Sequence, residues 1–82
     1  MVQKYGITLD EWDKMLIAQC GRCACCGDAF KNIGEEPSLD HDHGTGKNRE
    51  LLCINCNVAA GYLLDSPERC RLLEVYLIKH GK

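Results

Sequence analysis

Eighty-two residues hold one domain at most, and a net charge of −2 with a pI near 5.8 excludes a basic arm that coats nucleic acid by charge alone. Seven cysteines in so short a chain point to a staple, because a small core barely offsets the entropy of ordering the backbone. The opening Met-Val-Gln-Lys-Tyr-Gly has no apolar leader, and no run approaches the ~20 residues of a membrane span. The expected setting is therefore cytoplasmic, with no membrane partner. Thiols stay reduced there, and an odd number of cysteines in paired spacings means metal rather than disulfides.

In chain order, Thr8-Leu9-Asp10-Glu11 reads as a capping box, a Thr N-cap with Glu three residues on. Trp12, Met15, Leu16 and Gln19 then recur at helical spacing, which predicts a helix over about residues 9–20, stopped by Gly21. Cys23-Ala24-Cys25-Cys26-Gly27 follows as a knuckle-type turn. Residues 28–50 are polar and punctuated by Gly34, Pro37, Gly44 and Gly46. Short strands are expected at 38–41 and 50–53, with 42–48 as the loop between them. Residues 55–64 read as a helix despite Gly61. Ser66 as N-cap and Pro67 at the first helical position start a last helix that runs to about Lys79. The order predicts a small α+β domain with little sheet, one unit over 1–82: an N-terminal helix in 1–22, a zinc-framed core in 23–64 and a C-terminal helix in 65–82.

Cys23/Cys26 and Cys53/Cys56 form two Cys-x-x-Cys pairs with 26 residues between them. Zinc takes four soft ligands in a tetrahedron, and each tight turn delivers two thiolates. The interval exceeds the roughly 15–20 residues of an ordinary zinc ribbon, which leaves room for an insertion. Cys20 and Cys23 form a rival pair, but Cys20 falls on the end of the first helix. His41 and His43 are a second rival, with one residue between them instead of the three to five of a classical finger. The four-cysteine set is the expected structural Zn²⁺ site, and Cys20, Cys25 and Cys70 are expected as small buried apolar residues.

The insertion carries Asp40-His41-Asp42-His43. On a strand the two aspartates share one face and the two histidines the other. A polar loop whose carboxylates cap turns explains the same residues. The zinc frame, the side-chain amide of Asn57 directly after the last cysteine, and Lys47 and Arg49 just beyond the loop favour a functional role over a turn-capping one.

At these residues the chain resembles the recombination endonuclease VII family, within the HNH or ββα-metal (His-Me finger) nucleases. The resemblance rests on Asp40-His41-Asp42-His43, Thr45-Gly46-Lys47, Leu51-Leu52-Cys53 and Cys56-Asn57, supported by Tyr5-Gly6-Ile7-Thr8 and Gly21-Arg22-Cys23. It implies a ββα-metal nuclease core with a structural four-cysteine zinc site and flanking helices. It also implies Mg²⁺ or Mn²⁺ on Asp40 and Asn57, His41 as general base, and His43 near the scissile phosphate. The implied substrate is double-stranded or branched DNA, cut or nicked to leave 5′-phosphate and 3′-hydroxyl ends, in a bacterial cell or a phage-infected host. Lys47 and Arg49 are the candidate DNA contacts. Glu50 departs from the family pattern, where a glycine is usual. The rival reading from another class is a non-catalytic zinc module that binds nucleic acid or protein. Cys70, Leu73 and Leu77 form a stripe on the last helix, widened by Leu72, Val75 and Tyr76. It is read as core packed on the first helix, with a homodimer interface as the alternative.

Overall fold

A computed structural model of the chain describes residues 6–42 and 44–82 in full, and residues 3 and 4 by backbone alone. In order it has β1 (Gln3–Lys4), β2 (Ile7–Thr8), α1 (Leu9–Ala18), a 3-10 turn (Phe30–Asn32), β3 (Ser38–His41), β4 (Asn48–Leu52), α2 (Ile54–Tyr62) and α3 (Pro67–Lys79). The strands make two separate antiparallel pairs, β1 with β2 and β3 with β4. The small α+β expectation holds. The short β1–β2 pair and the 3-10 turn carry no signal at the length that periodicity reads.

α1 begins as the capping box predicts. The Thr8 hydroxyl accepts from the Glu11 amide at 3.1 Å, and the Glu11 carboxylate accepts in return from the Thr8 amide. The helix stops two residues before the expected Cys20. Cys20 takes φ +55° and Gly21 φ +68°, while the Gly21 amide reaches back to the Leu16 carbonyl, the closure that satisfies a helix's last carbonyls. Gln19 is thereby freed for another task. Its amide oxygen accepts from Leu51 N–H and its nitrogen donates to Leu51 O, both at 2.9 Å, and also to Arg22 O. One side chain thus completes the outer edge of β4 as a neighbouring strand would, and ties α1 to the hairpin.

The core is small. Ile7, Trp12, Phe30, Leu39, Leu51, Leu52 and two cysteines, Cys23 and Cys53, are buried, with Met15, Leu16, Ile33 and Cys56 packed against them. Leu51 at its centre is 0 % exposed. α1 lies on β4, and α2 lies on both β3 and β4, so the hairpin is held from two sides. Two of these eight buried residues are metal-ligand candidates, which means the core is built around the cysteine cluster.

α3 corrects an expectation. It starts on Ser66 and Pro67 as predicted, with the Ser66 hydroxyl accepting from the Arg69 amide, but it does not pack on α1. It approaches no other helix or strand among the described residues, and Leu72, Leu73, Val75, Tyr76, Leu77 and Ile78 are all exposed. The corner before it explains this. α2 ends at Tyr62, and the following turn sends α3 away from α1, which gives the molecule extents of 50 × 30 × 18 Å. Cys20, Cys25 and Cys70 are likewise exposed, against the expectation of burial. Cys20 sits beyond its helix end, Cys25 lies within the knuckle, and Cys70 belongs to the unpacked helix.

Candidate metal centre

Residues 21–30 fold into a knuckle. Arg22 and Ala29 form an isolated antiparallel bridge, Cys23 N–H donates to Asp28 O, and Gly27 N–H returns to Cys23 O. Gly27 turns this loop with φ +80°, a conformation costly for a side chain. The Arg22 guanidinium braces the turn by donating to Gly27 O. The second pair is set differently: Cys53 is the N-cap of α2, and its sulfur accepts from Cys56 N–H.

The two turns meet. One sulfur from each of Cys23, Cys26, Cys53 and Cys56 lies within 4.8 Å of all the others, and the Cys26 and Cys53 sulfurs are 3.9 Å apart. A tetrahedron with Zn–S bonds of ~2.3 Å has edges of about 3.8 Å, so the spacing fits a zinc ion with little adjustment. Burial pushes the Cys23 thiol up, but amides donated by Cys53, Cys26 and Cys25 outweigh it and bring the thiol down to about 6. Cys56 moves the other way, pushed up by burial and then by the neighbouring sulfurs of Cys53, Cys26 and Cys23. Four sulfurs this close cannot all carry charge without a cation among them, so the cluster suits a divalent metal. Cys20 and Cys25 stand outside it, and His41 is not among its ligands.

The hairpin beside the cluster holds the acidic and histidine residues. β3 ends at His41, and Asp42 does not continue the strand alternation. Its carboxylate accepts from Gly44 N–H at 2.7 Å and Thr45 N–H at 3.0 Å, and its backbone pairs with Lys47 and Gly46. Asp42 is a turn former of the Asx type. A side chain at position 44 would meet that carboxylate at 3.1 Å, and Gly46 takes φ +75°, which explains both loop glycines. Lys47 is exposed at the end of this loop. His43 falls outside the described residues.

Asp40 is treated differently. Leu39 pairs with Leu51, but His41 pairs with Asn48, so Arg49 and Glu50 together oppose Asp40. This bulge, an extra residue in β4, re-aims side chains locally. Arg49 Nε donates to Asp40 Oδ2, and Arg49 Nη2 reaches the carboxylate of Asp65 at 3.2 Å, beyond the end of α2. The sequence marks Arg49 as a DNA contact; the structure gives it two carboxylate partners. Asp65 carries no sequence signal, because it lies sixteen positions along the chain from Arg49. Asn57 lies half-buried in the first turn of α2, the helix packed on β3, so Asp40 and Asn57 sit on adjoining elements. Both offer hard oxygen donors of the kind Mg²⁺ and Mn²⁺ prefer, and Asp40 already accepts a cationic neighbour, the guanidinium. His41 is exposed at the strand end, one residue from Asp40.

The geometry defines a small α+β domain in which four clustered cysteines could hold a metal ion, with a polar hairpin beside them. The model of the family described as recombination endonuclease VII matches residues 1–79, and the chain belongs to that family. Over 53 residues, 65 % of the chain, it is 47 % identical to the Gene 59 protein of Mycobacterium phage L5 and 45 % identical to the Gene 59 protein of Mycobacterium phage D29. The matched stretch spans 32 % of each of these relatives, about a third of their length.

Proposed function

We propose that the chain is a divalent-cation-dependent DNA endonuclease of the HNH or His-Me finger type, with β3, β4 and α2 as a ββα-metal core. The observation that carries this reading is the mounting of Asp40, His41 and Asn57. Two lie on a strand and one on the helix packed against it, and the four-cysteine cluster fixes the start of that helix against the knuckle, in a chain of the endonuclease VII family. The cysteine set has four ligands for one zinc and no open position, so zinc here holds structure and takes no part in hydrolysis.

In this reading Asp40 and Asn57 hold Mg²⁺ or Mn²⁺ through their side-chain oxygens. The bound cation supplies Lewis-acid stabilisation of charge on the phosphate and on the leaving 3′ oxygen. His41 takes the proton from the attacking water, work an imidazole can do at neutral pH. Its exposed place at the strand end leaves room for DNA. The family resemblance assigns His43 a role at the scissile phosphate, and Lys47 would meet a neighbouring phosphate from the hairpin loop. Asp40 and Asn57 would supply one carboxylate and one amide oxygen, leaving the other positions of a bound cation to water and phosphate oxygens.

Incubating zinc-loaded protein with supercoiled plasmid tests the reading. Nicked or linear product should form only with added Mg²⁺ or Mn²⁺. The apparent KM for DNA should rise with salt, as phosphate contacts require. Ligase should reseal the nicks without prior kinase treatment, as 5′-phosphate and 3′-hydroxyl ends allow. Binding to DNA or protein without cleavage in any divalent metal would instead establish the non-catalytic zinc module.

We also propose that α3 mediates a homodimer. Six large apolar side chains on it lie open, and a 13-residue helix gains most of its stability from a packed face. Light scattering should give twice the 9.2 kDa chain mass, and Leu73→Glu with Leu77→Glu should return it to monomer. A monomeric wild-type chain at tens of micromolar, about the range of modest affinities, would remove the dimer.

A further inference from the structure

Arg49 ties the hairpin to the α2–α3 corner, and that corner is unusual. α2 closes with Leu64 N–H on Gly61 O and Asp65 N–H on Ala60 O, the five-to-two and six-to-one pattern in which glycine normally follows the cap. Here that place is held by Leu64 at φ +57°, and Asp65 follows at φ +55°. A bulky residue in the left-handed region is strained, and such strain persists only where surrounding contacts hold it. What holds it is visible. Both oxygens of Asp65 accept from Arg49 Nη2, at 3.3 and 3.2 Å, while Nε of the same guanidinium takes Asp40 Oδ2. The side chains of Arg49, Asp40 and Asp65 are 38 %, 13 % and 22 % exposed, so both acids are more shielded than the arginine between them.

We propose that Asp65 is a positioning residue for the cation site, acting through Arg49 to orient the Asp40 carboxylate. The inference rests on the reading above, in which Asp40 holds the divalent cation. An arginine beside a metal carboxylate is otherwise a competitor, since its charge is permanent and its fork fits the same oxygens. Asp65 turns the competitor into a brace. It supplies the second negative charge, anchors the guanidinium to the end of α2, and confines its contact with Asp40 to one oxygen. The β4 bulge is the other half of the device, because it brings Arg49 opposite Asp40. A lysine at position 49 would have one point of attachment and could not span both acids in this way.

The test measures Mn²⁺ alone, by electron paramagnetic resonance on zinc-loaded, DNA-free protein, beside nicking rates at increasing Mn²⁺. Asp65→Asn should raise the Mn²⁺ needed for half-saturation by about tenfold or more, the usual consequence of losing a partner that orients a ligand. The rate at saturating Mn²⁺ should stay within about threefold, because the reacting groups are intact. Asp65→Glu should restore most of the affinity. In an Arg49→Gln background the further Asp65→Asn change should add less than about twofold, because coupled residues lose their effect once the link is gone. If Asp40→Asn removes the bound Mn²⁺ while Asp65→Asn matches wild type, the positioning role is overturned and the nuclease reading stands. If wild type and Asp40→Asn bind Mn²⁺ alike, both are overturned.

Discussion

Removing zinc should unfold the chain, not merely silence it. A strong chelator is expected to abolish the dispersed amide spectrum and the cooperative thermal transition, and one equivalent of Zn²⁺ should restore both. The expectation follows from what fills the core. Cys23 and Cys53 are two of its eight buried residues, and the backbone amides of residues 25, 26, 53 and 56 are aimed at the sulfurs of these two. Without metal those donors face thiols that cannot hold charge together. Metal binding at such a site is worth about 10–16 kcal/mol of apparent folding free energy, as much as or more than the whole stability of a typical domain, about 5–15 kcal/mol. Cys53→Ala should be the most damaging single change, because position 53 is at once a candidate ligand and the cap of α2, its sulfur accepting from Cys56 N–H. Metal-free protein that keeps a cooperative transition would show that the cluster is not structural.

His41→Ala should lower plasmid cleavage by about 10²–10⁴-fold, the usual contribution of a positioned general base, with zinc content and melting temperature unchanged. Stability should not move because the imidazole is exposed at the end of β3 and takes no part in the buried core. The pairing of His41 with Asn48 is through the backbone, which alanine retains. The expected signature is therefore a loss of rate at full folding, seen by circular dichroism and single-turnover kinetics together. Full activity in the variant would remove His41 from the mechanism.

Much of this is legible in the residues because local rules and tertiary needs agree. Thr8 with Glu11, and Ser66 with Pro67, announce helix starts that the structure reproduces to the residue. Two Cys-x-x-Cys turns announce a metal cluster, since a tetrahedral ion takes two thiolates from each tight turn. The differences have physical causes. β4 begins two residues before the expected Glu50 because of the bulge opposite Asp40, and a bulge has no composition of its own. Strand alternation groups Asp42 with Asp40, but the Asp42 carboxylate closes the loop on Gly44 and Thr45. Amphipathicity alone assigns the apolar stripe of α3 to the core, yet it says only that a face needs a partner, not where the partner is. Asp65 escapes a sequence reading because its link to Asp40 runs through Arg49 across two connections, a relation that only the folded chain displays.

Anomalous diffraction from crystals of the zinc-loaded protein with Mn²⁺ and a short duplex tests the two-metal assignment most directly, because the two metals can be told apart at their absorption edges. Zinc is expected on the sulfurs of Cys23, Cys26, Cys53 and Cys56, and manganese on the side-chain oxygens of Asp40 and Asn57 with a phosphate oxygen of the DNA in its shell. Manganese bound elsewhere, or zinc held by His41 in place of a cysteine, would contradict it.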